Sequence, residues 1–433
     1  MTHPRSAFGA PPQEGAPGGP AEPVPRRPLG FTESARLQPR GSSQGGLRQY
    51  NERVVLQAVR LHGALPAADI ARLSKLTAQT VSLITKRLLD DGLLLKGAPR
   101  RGKVGQPSVP LSLNPDGAYA IGIKVGRRSL DVVLVDFCAQ VRQRWELSYT
   151  HADPAVLLPE IAARLKDIRR KLGPARRAAV QGIGIAAPLS LGGWQQLLGL
   201  PPEVARQWQH LSLAAEVSGM TEWPVTLVKD TAAACVAELV AGRGRDVKSF
   251  LYIFVDTFIG GGLVLDSHLR GGINGNAGAV GSLPLWTAGR AKDAAPAQLL
   301  SVASLLTLEQ AYAAAGLDLG AAADARAQQV PWLKHTKAWL GEAAAAIAQA
   351  VQSAACLLAL EGVILDGSLS RELLAALLSQ TTDSLRRYDW EGVTQPALMA
   401  GTIGSDARAL GGALLPLYAN FAPDRDLFLK VAG

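Results

Sequence analysis

The chain has little cysteine and little histidine, with three Cys and six His among 433 residues. The cysteines are odd in number, far apart and set among apolar residues: Cys138, Cys235 and Cys356. Such a set cannot build a disulfide framework, and neither the cysteines nor the scattered histidines show the paired spacing of a zinc site. We therefore expect no structural metal, and the composition points to no cofactor.

Long apolar runs are also absent. The nearest is Ala343–Leu360, which Gln349 and Gln352 interrupt, so a buried helix is favoured over a membrane span. Residues 1–30 lack the apolar segment of a signal peptide, and we expect a cytoplasmic protein with no membrane partner. Residues 1–46 are rich in proline and glycine without apolar periodicity, which predicts a disordered tail.

The excess of positive charge lies in the first quarter of the chain. Residues 1–110 hold 16 Lys and Arg against 7 Asp and Glu, whereas residues 111–433 hold 29 of each, so the first part carries the whole net charge of +9. The length suggests two or three domains. The asymmetry points to a polyanionic partner for the first module and a neutral ligand or a protein partner for the rest.

Residues 47–113 have the pattern of a winged helix-turn-helix domain, an α+β fold. A helix from about Arg48 ends at His62, a short helix covers residues 65–73, and Thr77 is a suitable N-cap for a third helix that runs to about Asp91. Apolar residues at helical spacing form the expected buried stripe of the third helix: Val81, Ile84 and Leu88. Its other face carries side chains suited to base reading and, for the last, phosphate binding: Gln79, Thr80, Ser82, Lys86 and Arg87.

A basic hairpin follows the third helix. Leu93–Lys96 and Leu111–Leu113 are predicted strands, and the loop between them is too polar and too rich in glycine for a core. Such a loop can place cations on phosphates or in the minor groove while the preceding helix lies in the major groove. The candidate contacts in this wing are Arg100, Arg101, Lys103 and Gln106. Each basic residue alone is compatible with a solvated charge, but the agreement of spacing, cap, loop and charge predicts a double-stranded DNA partner.

The turn at Asn114–Gly117 is the predicted domain boundary, and residues 114–433 have an α/β pattern. The predicted elements are the strands 118–125, 130–136, 141–149, 179–186, 225–228, 250–255 and 260–265 and the helices 154–172 and 232–239. A meander followed by helices and further strands thus occurs twice. This duplication predicts the two-lobed plan of the actin-like, ribonuclease H-like sugar kinases.

Several stretches of the chain resemble the ROK family, named for repressors, open reading frames and kinases. They are Gln181–Pro188, Lys229–Glu238, Gly260–Leu265, Leu269–Gly278 and Gly411–Leu417. Their order and spacing are specific, although no single stretch is. The resemblance covers nearly everything from Leu47 onward, and it implies a winged helix followed by an actin-like domain that dimerises and binds an effector.

Kinase members of the family have phosphate loops that differ from those of this chain. Their first loop resembles Asp-x-Gly-Gly-Thr, whereas Lys124–Arg128 places large cations there. Their second loop, Gly-Thr-Gly-x-Gly, is replaced by Asp256–Gly260 with Phe258 inside it, and Asp366 lies in the glycine cluster on the adenosine side. Since a phosphate cradle needs small residues and free backbone N–H groups, a sugar kinase is the disfavoured alternative and we expect no enzyme activity.

Three residues are candidates for a sugar site: Asp230, Asn274 and Glu309. Asp230 matches the general base of the kinases, but Lys229 replaces the family's preceding Asn, so ion pairing with Lys229 and binding of a sugar hydroxyl are both open. Glu309 matches a sugar-contacting Glu of relatives, with a helix-surface carboxylate as the alternative. The family's Ala-Gly-Glu-x-Gly-His stands here as Ala277–Ser282 and its cysteine-rich zinc loop as Leu300–Thr307, so no zinc ligands are expected.

The main hypothesis is a DNA-binding transcriptional regulator, a repressor by type, that senses a carbohydrate in its cleft. It is expected to bind a two-fold repeated operator as a homodimer or homotetramer. The second hypothesis is a regulator whose actin-like domain has lost its sugar and serves as a dimerisation scaffold. The two differ in whether the cleft around Asp230, Asn274 and Glu309 is an open polar pocket or is filled by apolar side chains.

Overall fold

The N-terminal module is a winged helix. The computed structural model describes residues 44–99, 108–193, 198–286 and 295–423. The elements of this module are helices α1 (Gln44–His62), α2 (Ala67–Ser74) and α3 (Ala78–Asp90) and a sheet of order β1-β3-β2, formed by β1 (Leu65–Pro66), β2 (Leu94–Lys96) and β3 (Pro110–Leu113). Helix α1 begins at Gln44, two residues before the predicted end of the tail at residue 46, and residues 1–43 lie outside the described residues.

Local chemistry explains the bounds of α3. The side chain of Thr77 accepts a hydrogen bond from the Thr80 N–H at 3.2 Å, which is the N-cap that the sequence predicts. The stripe of Val81, Ile84 and Leu88 is buried, as predicted from helical spacing. After the helix, Gly92 adopts a φ of +71°, a conformation that glycine takes without steric cost, and the chain turns into β2.

The first lobe of the second module is built on a five-stranded sheet of order β6-β5-β4-β7-β8. The strands are β4 (Tyr119–Val125), β5 (Ser129–Asp136), β6 (Val141–Ser148), β7 (Val180–Ala187) and β8 (Val225–Lys229), and the helices are α4 (Pro154–Arg177), α5 (Pro202–His210) and α6 (Leu213–Gly219). Strands β4, β5 and β6 form an antiparallel meander, while β7 and β8 run parallel to β4. Strands β4 and β5 are buried along nearly their whole length because helices cover the sheet.

The second lobe repeats this plan with a sheet of order β11-β10-β9-β14-β15. Its strands are β9 (Phe250–Val255), β10 (Gly260–Leu265), β11 (His268–Arg270), β14 (Gly362–Gly367) and β15 (Ala397–Ala400), with the short pair β12 (Pro284–Leu285) and β13 (Ala297–Gln298). Its helices are α8 (Leu300–Ala303), α9 (Leu305–Ala314), α10 (Leu333–Leu358) and α11 (Arg371–Leu385). Again a meander is extended by two parallel strands. The predicted two-lobed α/β fold is confirmed.

Two further helices connect the lobes, α7 (Asp230–Ala241) and α12 (Ala407–Phe421). They approach so closely that a Cβ atom on Gly411 would lie 1.7 Å from the carbonyl oxygen of Ala233. On its other side α12 packs on the first sheet, where a Cβ on Gly184 would lie 1.9 Å from the carbonyl oxygen of Gly412. Paired glycines thus allow one helix to pack on a helix and a sheet at once.

The winged helix shares its hydrophobic core with this second module. One apolar cluster includes Val55 and Leu88 from the winged helix together with Val133 and Leu417 from the second module. The predicted boundary at Asn114–Gly117 is therefore a turn in the chain, while the buried apolar packing continues across it. Within the residues described, none of the helices combines the length and apolar character that crossing a membrane requires.

A second set of contacts holds the C-terminal end of α1. We call this region the domain joint, and it consists of α1, the C-terminal ends of α7 and α12, Phe137 and Arg245. The Arg245 guanidinium donates to the carbonyl oxygen of Leu61 at 2.7 Å, which satisfies the end of α1. Phe421 packs edge-on against Phe137 with ring centroids 4.8 Å apart, and Arg60 lies over the Phe137 ring at 5.3 Å. Burial lowers the pKa of Arg60 to about 10, which reflects how closely the joint is packed.

Candidate functional site

Helix α3 presents one polar face to solvent. Gln79, Ser82 and Lys86 are exposed on this face, as expected for residues that contact DNA. Leu83 lies among them and is 64% exposed. The four residues follow i, i+3, i+4, i+7 spacing, so they form one continuous strip. Sequence reasoning left Leu83 out because it looked for polar side chains, although an apolar side chain can contact the methyl group of thymine.

Two other candidates on α3 have partners inside the chain. The Thr80 hydroxyl lies 2.8 Å from the Thr77 hydroxyl and belongs to the helix cap. Arg87 forms an ion pair with Glu52 of α1 at 2.7 Å, which places its charge beside the helix rather than free at the surface. Contacts of both residues with DNA stay predictions. The wing candidates Arg100, Arg101, Lys103 and Gln106 lie outside the described residues.

The cleft between the lobes contains an open cavity of about 220 Å³ at the N-terminus of α7, which we call the Asp230 cavity. Its polar lining includes Arg127, Ser190, Lys229, Asp230 and Asn276. The Asp230 carboxylate accepts a hydrogen bond from the adjacent Thr231 N–H at 2.8 Å. The cavity is therefore an open pocket at a helix N-terminus, lined by both polar and apolar residues, and is not filled by apolar side chains.

Lys229 does not form the ion pair with Asp230 that its position suggests. Its ammonium donates to Asn276 Oδ1 at 2.9 Å instead. Burial lowers the pKa of Lys229, and the nearby charge of Asp230 offsets part of that shift. Asp230 thus keeps carboxylate oxygen available toward the cavity.

The three predicted sugar ligands are not brought together. Asp230 lines the Asp230 cavity, whereas Asn274 is exposed and does not line it. Its place in the cavity wall is taken by Asn276, two residues further along the same glycine-rich loop. Glu309 lies in an adjoining cavity of about 640 Å³, the Glu309 cavity, and its carboxylate accepts hydrogen bonds from Nη1 and Nη2 of Arg128 at 2.8 Å each.

The residues that replace the kinase phosphate loops bind one another across the cleft. Arg128 of the β4–β5 turn in the first lobe pairs with Glu309 of α9 in the second. The neighbouring Arg127 lies over the ring of Phe258 from the β9–β10 turn, 4.5 Å from its centroid. Two adjacent arginines therefore link the lobes where a phosphate cradle would need open backbone.

The two acids in the loops that bind the nucleotide in kinase members, Asp256 and Asp366, also have partners within the chain. Asp256 pairs with Arg408 of α12, and Asp366 accepts hydrogen bonds from the Gly404 N–H at 2.8 Å and from Arg371 at 3.1 Å. Burial acts to raise the pKa of Asp256, but Arg408 and Lys124 outweigh it and the net shift is downward. Asp256 is therefore held as an anion by cations of the chain itself.

Lys124, at the first position of the altered loop, is buried with its own counter-ion. Its ammonium donates to Asp131 at 2.8 Å and to Ser129 at 2.5 Å. Across residues 44–99, 108–193, 198–286 and 295–423, no group of three or more His, Cys, Asp or Glu side chains is placed to hold a metal ion.

Comparison with known proteins places these features in a family. The sequence model of the ROK family matches residues 120–418, more than half of the chain. The chain belongs to the ROK family. A xylose repressor from Caldicellulosiruptor bescii is 26% identical over 235 residues, which are 54% of this chain and 58% of the relative. This ROK chain thus spans less than two thirds of the length of that relative.

Solved structures share the fold of this ROK protein. A ROK family transcriptional regulator, described as a homologue of the Escherichia coli MLC protein, superposes with a TM-score of 0.63 at 20% identity over 87% of this chain and 98% of that one. A ROK family glucokinase from Streptomyces griseus, solved with glucose and AMPPNP, superposes with a TM-score of 0.53 at 20% identity. The match covers 69% of this chain and 99% of the glucokinase. The family thus contains both regulators and sugar kinases, and the regulator matches more of this chain.

Proposed function

We propose that this ROK protein is a DNA-binding transcriptional repressor that responds to a carbohydrate. The observation that carries the proposal is the exposed strip on α3, a helix whose opposite face is buried in a winged helix fixed to the ROK module. The net charge of +9 in residues 1–110 attracts a polyanion to this module. The strip supplies hydrogen-bonding groups for base edges in the major groove.

A sugar effector is supported by the Asp230 cavity. Its carboxylate and amide oxygens are suited to hydroxyl groups, and its volume of about 220 Å³ is open. The scaffold alternative needs a cleft filled by apolar side chains, and the polar lining argues against it. An effector here is expected to change lobe closure and so the affinity for the operator.

Helices α7 and α12 connect this cavity to the winged helix. Asp230 begins α7 and Arg408 is the second residue of α12, and both line the Asp230 cavity. At their other ends, Leu239 of α7 lines a cavity of the domain joint and Phe421 of α12 contacts Phe137. A shift of either helix at the cleft would therefore be transmitted to α1.

Sugar kinase activity is not part of the proposal, because the side chains that replace the phosphate loops have partners within the chain and leave no small, open backbone cradle. Arg127 packs on Phe258, Arg128 pairs with Glu309, and Asp256 pairs with Arg408. A coupled assay with ATP, Mg²⁺ and a panel of hexoses, pentoses and amino sugars is expected to give no phosphorylation above a protein-free blank. Turnover with any of these sugars would contradict this interpretation.

Repression is tested by selecting DNA from a random pool with the full chain. Repeated selection is expected to enrich one sequence with two-fold symmetry, because a single winged helix reads too few bases for adequate specificity and a homodimer or homotetramer is expected. Gln79→Ala should then weaken binding to the selected sequence more than to unrelated DNA. A pool that stays unenriched after repeated rounds would contradict the proposal.

A further inference from the structure

We infer that the effector of this protein is an anionic monosaccharide, whose hydroxyl groups contact Asp230 and Asn276 and whose carboxylate or phosphate group contacts Arg127. This inference rests on the proposed function, since it names the chemical class of the ligand that the Asp230 cavity takes. Some charged side chains around the cavity already have partners and others do not, and the ligand class follows from this difference.

Among the described cations that line the cleft cavities, Arg127 is the one without a hydrogen-bonding partner. Its guanidinium makes no hydrogen bond or ion pair with another residue of the described part of the chain, whereas Lys124 donates to Asp131 and Arg128 donates twice to Glu309. Arg127 lines the Asp230 cavity and the Glu309 cavity. Burial lowers its pKa, which Asp230 and Asp256 partly offset, but an arginine stays charged in proteins.

The ring of Phe258 holds this guanidinium in place. The guanidinium carbon lies over the face of the ring, 4.5 Å from its centroid, which is within the range of a cation–π contact. A cation–π contact uses none of the guanidinium's hydrogen-bonding capacity for an oxygen acceptor, and its N–H donors have no acceptor among the described residues. A guanidinium in this state is suited to bidentate binding of a carboxylate or a phosphate.

The charges that line the cavity also favour an anion. Asp256 is neutralised by Arg408, so among the described residues of the lining Asp230 is the one remaining carboxylate beside two cations, Arg127 and Lys229. Lys229 directs one donor to Asn276 and has two more. A neutral sugar would leave the excess positive charge uncompensated in a partly desolvated site, whereas one anionic group on the ligand would balance it.

The polar residues divide the cavity lining into two kinds of contact. Asp230 and the carbonyl oxygen of Asn276 accept hydrogen bonds, so they suit sugar hydroxyl groups. Arg127 only donates, so it suits the anionic group. The expected ligand therefore carries both features on a ring of monosaccharide size, as uronic acids and sugar phosphates do.

The test is calorimetric titration of the full chain with matched sets of sugars. Glucose is compared with glucuronate and glucose 6-phosphate, and galactose with galacturonate and galactose 6-phosphate. At least one anionic member is expected to bind about tenfold or more tightly than its neutral parent, which is the scale of one charge-assisted hydrogen bond. The carboxylate and phosphate arms decide which anionic group the cavity prefers, and added salt is expected to weaken the anionic members alone.

Two variants assign the effect to the cavity. Arg127→Gln is expected to reduce the preference for the anionic member to less than about threefold, and Lys229→Gln to reduce it in part, while Lys337→Gln on the exposed surface of α10 removes one charge elsewhere and is expected to leave it unchanged. A preference that survives in both cavity variants would overturn the inference. So would equal binding of the neutral parents, or no binding by any member of the panel.

Binding of the same preparations to the selected DNA separates the two proposals. If the chain binds that DNA but shows no anionic preference, the inference on the ligand fails and the repressor proposal stands. If it binds anionic sugars but selects no DNA, the repressor proposal fails and the ligand class stands.

Discussion

Replacing Gly411 by Ala tests how closely α7 and α12 must pack. The new Cβ would lie 1.7 Å from Ala233 O and 2.4 Å from the Ala233 carbonyl carbon, and both are backbone atoms that cannot rotate away. The helices would have to separate by more than about 1 Å in a close-packed interior. Overpacking of this kind costs about 1–3 kcal/mol or more, and the better helix propensity of Ala returns at most about 1 kcal/mol.

The matched control is Gly341→Ala in α10, where a Cβ would meet no atom within 4 Å. At this position only the higher helix propensity of Ala acts, and it is expected to stabilise the protein by up to about 1 kcal/mol. Thermal unfolding of the full chain should show a melting temperature lower by roughly 1–4 °C for Gly411→Ala and unchanged or higher for the control. If Gly411→Ala melts at or above the wild-type temperature, the close approach of the two helices is not needed and our account of α12 is wrong.

Three further predictions concern the winged helix and the cleft. Lys86→Ala should weaken binding uniformly across DNA sequences and reduce the slope of log affinity against log salt by about 1, whereas a loss confined to the selected sequence would make Lys86 a base reader. Thr77→Ala should cost about 1 kcal/mol in chemical unfolding through loss of the cap, and Thr77→Ser, which retains a capping hydroxyl, should restore most of it. Glu309→Gln should cost about 1 kcal/mol or less because Arg128 is half exposed, and adding Arg128→Gln should cost little more; fully additive losses in the double variant would show that the pair is not coupled.

Patterns within one element were predicted well from the sequence. The cap at Thr77 and the buried stripe of α3 depend on residues three to seven positions apart, which helical geometry places together in any tertiary fold. The strands of both lobes were also predicted closely, because buried strands are continuous apolar runs and the chain marks their ends with turns.

Contacts between distant residues were not predicted. Arg128 and Glu309 are 181 positions apart, so their pairing exists only once both lobes have formed. Sequence reasoning recognised that Arg128 departs from the kinase pattern and that Glu309 matches a sugar-contacting Glu of relatives, but it did not connect the two residues. The prediction named Asn274, whereas Asn276 lines the cavity, and the reason is local. Gly272, Gly275 and Gly278 all adopt positive φ, so the loop has no regular period from which the side chain that faces the cavity could be inferred.

The connection through α12 sets the scale on which a ligand could act. From Arg408 to Phe421 the helix extends over roughly 20 Å at 1.5 Å per residue. A rotation of about 6° at the cleft would therefore displace the far end by roughly 2 Å, more than half of the 3.4 Å rise along the DNA axis from one phosphate to the next on one strand. In a two-fold dimer both recognition helices would move by this amount, and their separation would no longer match half-sites one turn of DNA apart. Because of the length of α12, a small rotation at the cleft is thus enough to change how the two recognition helices fit the DNA.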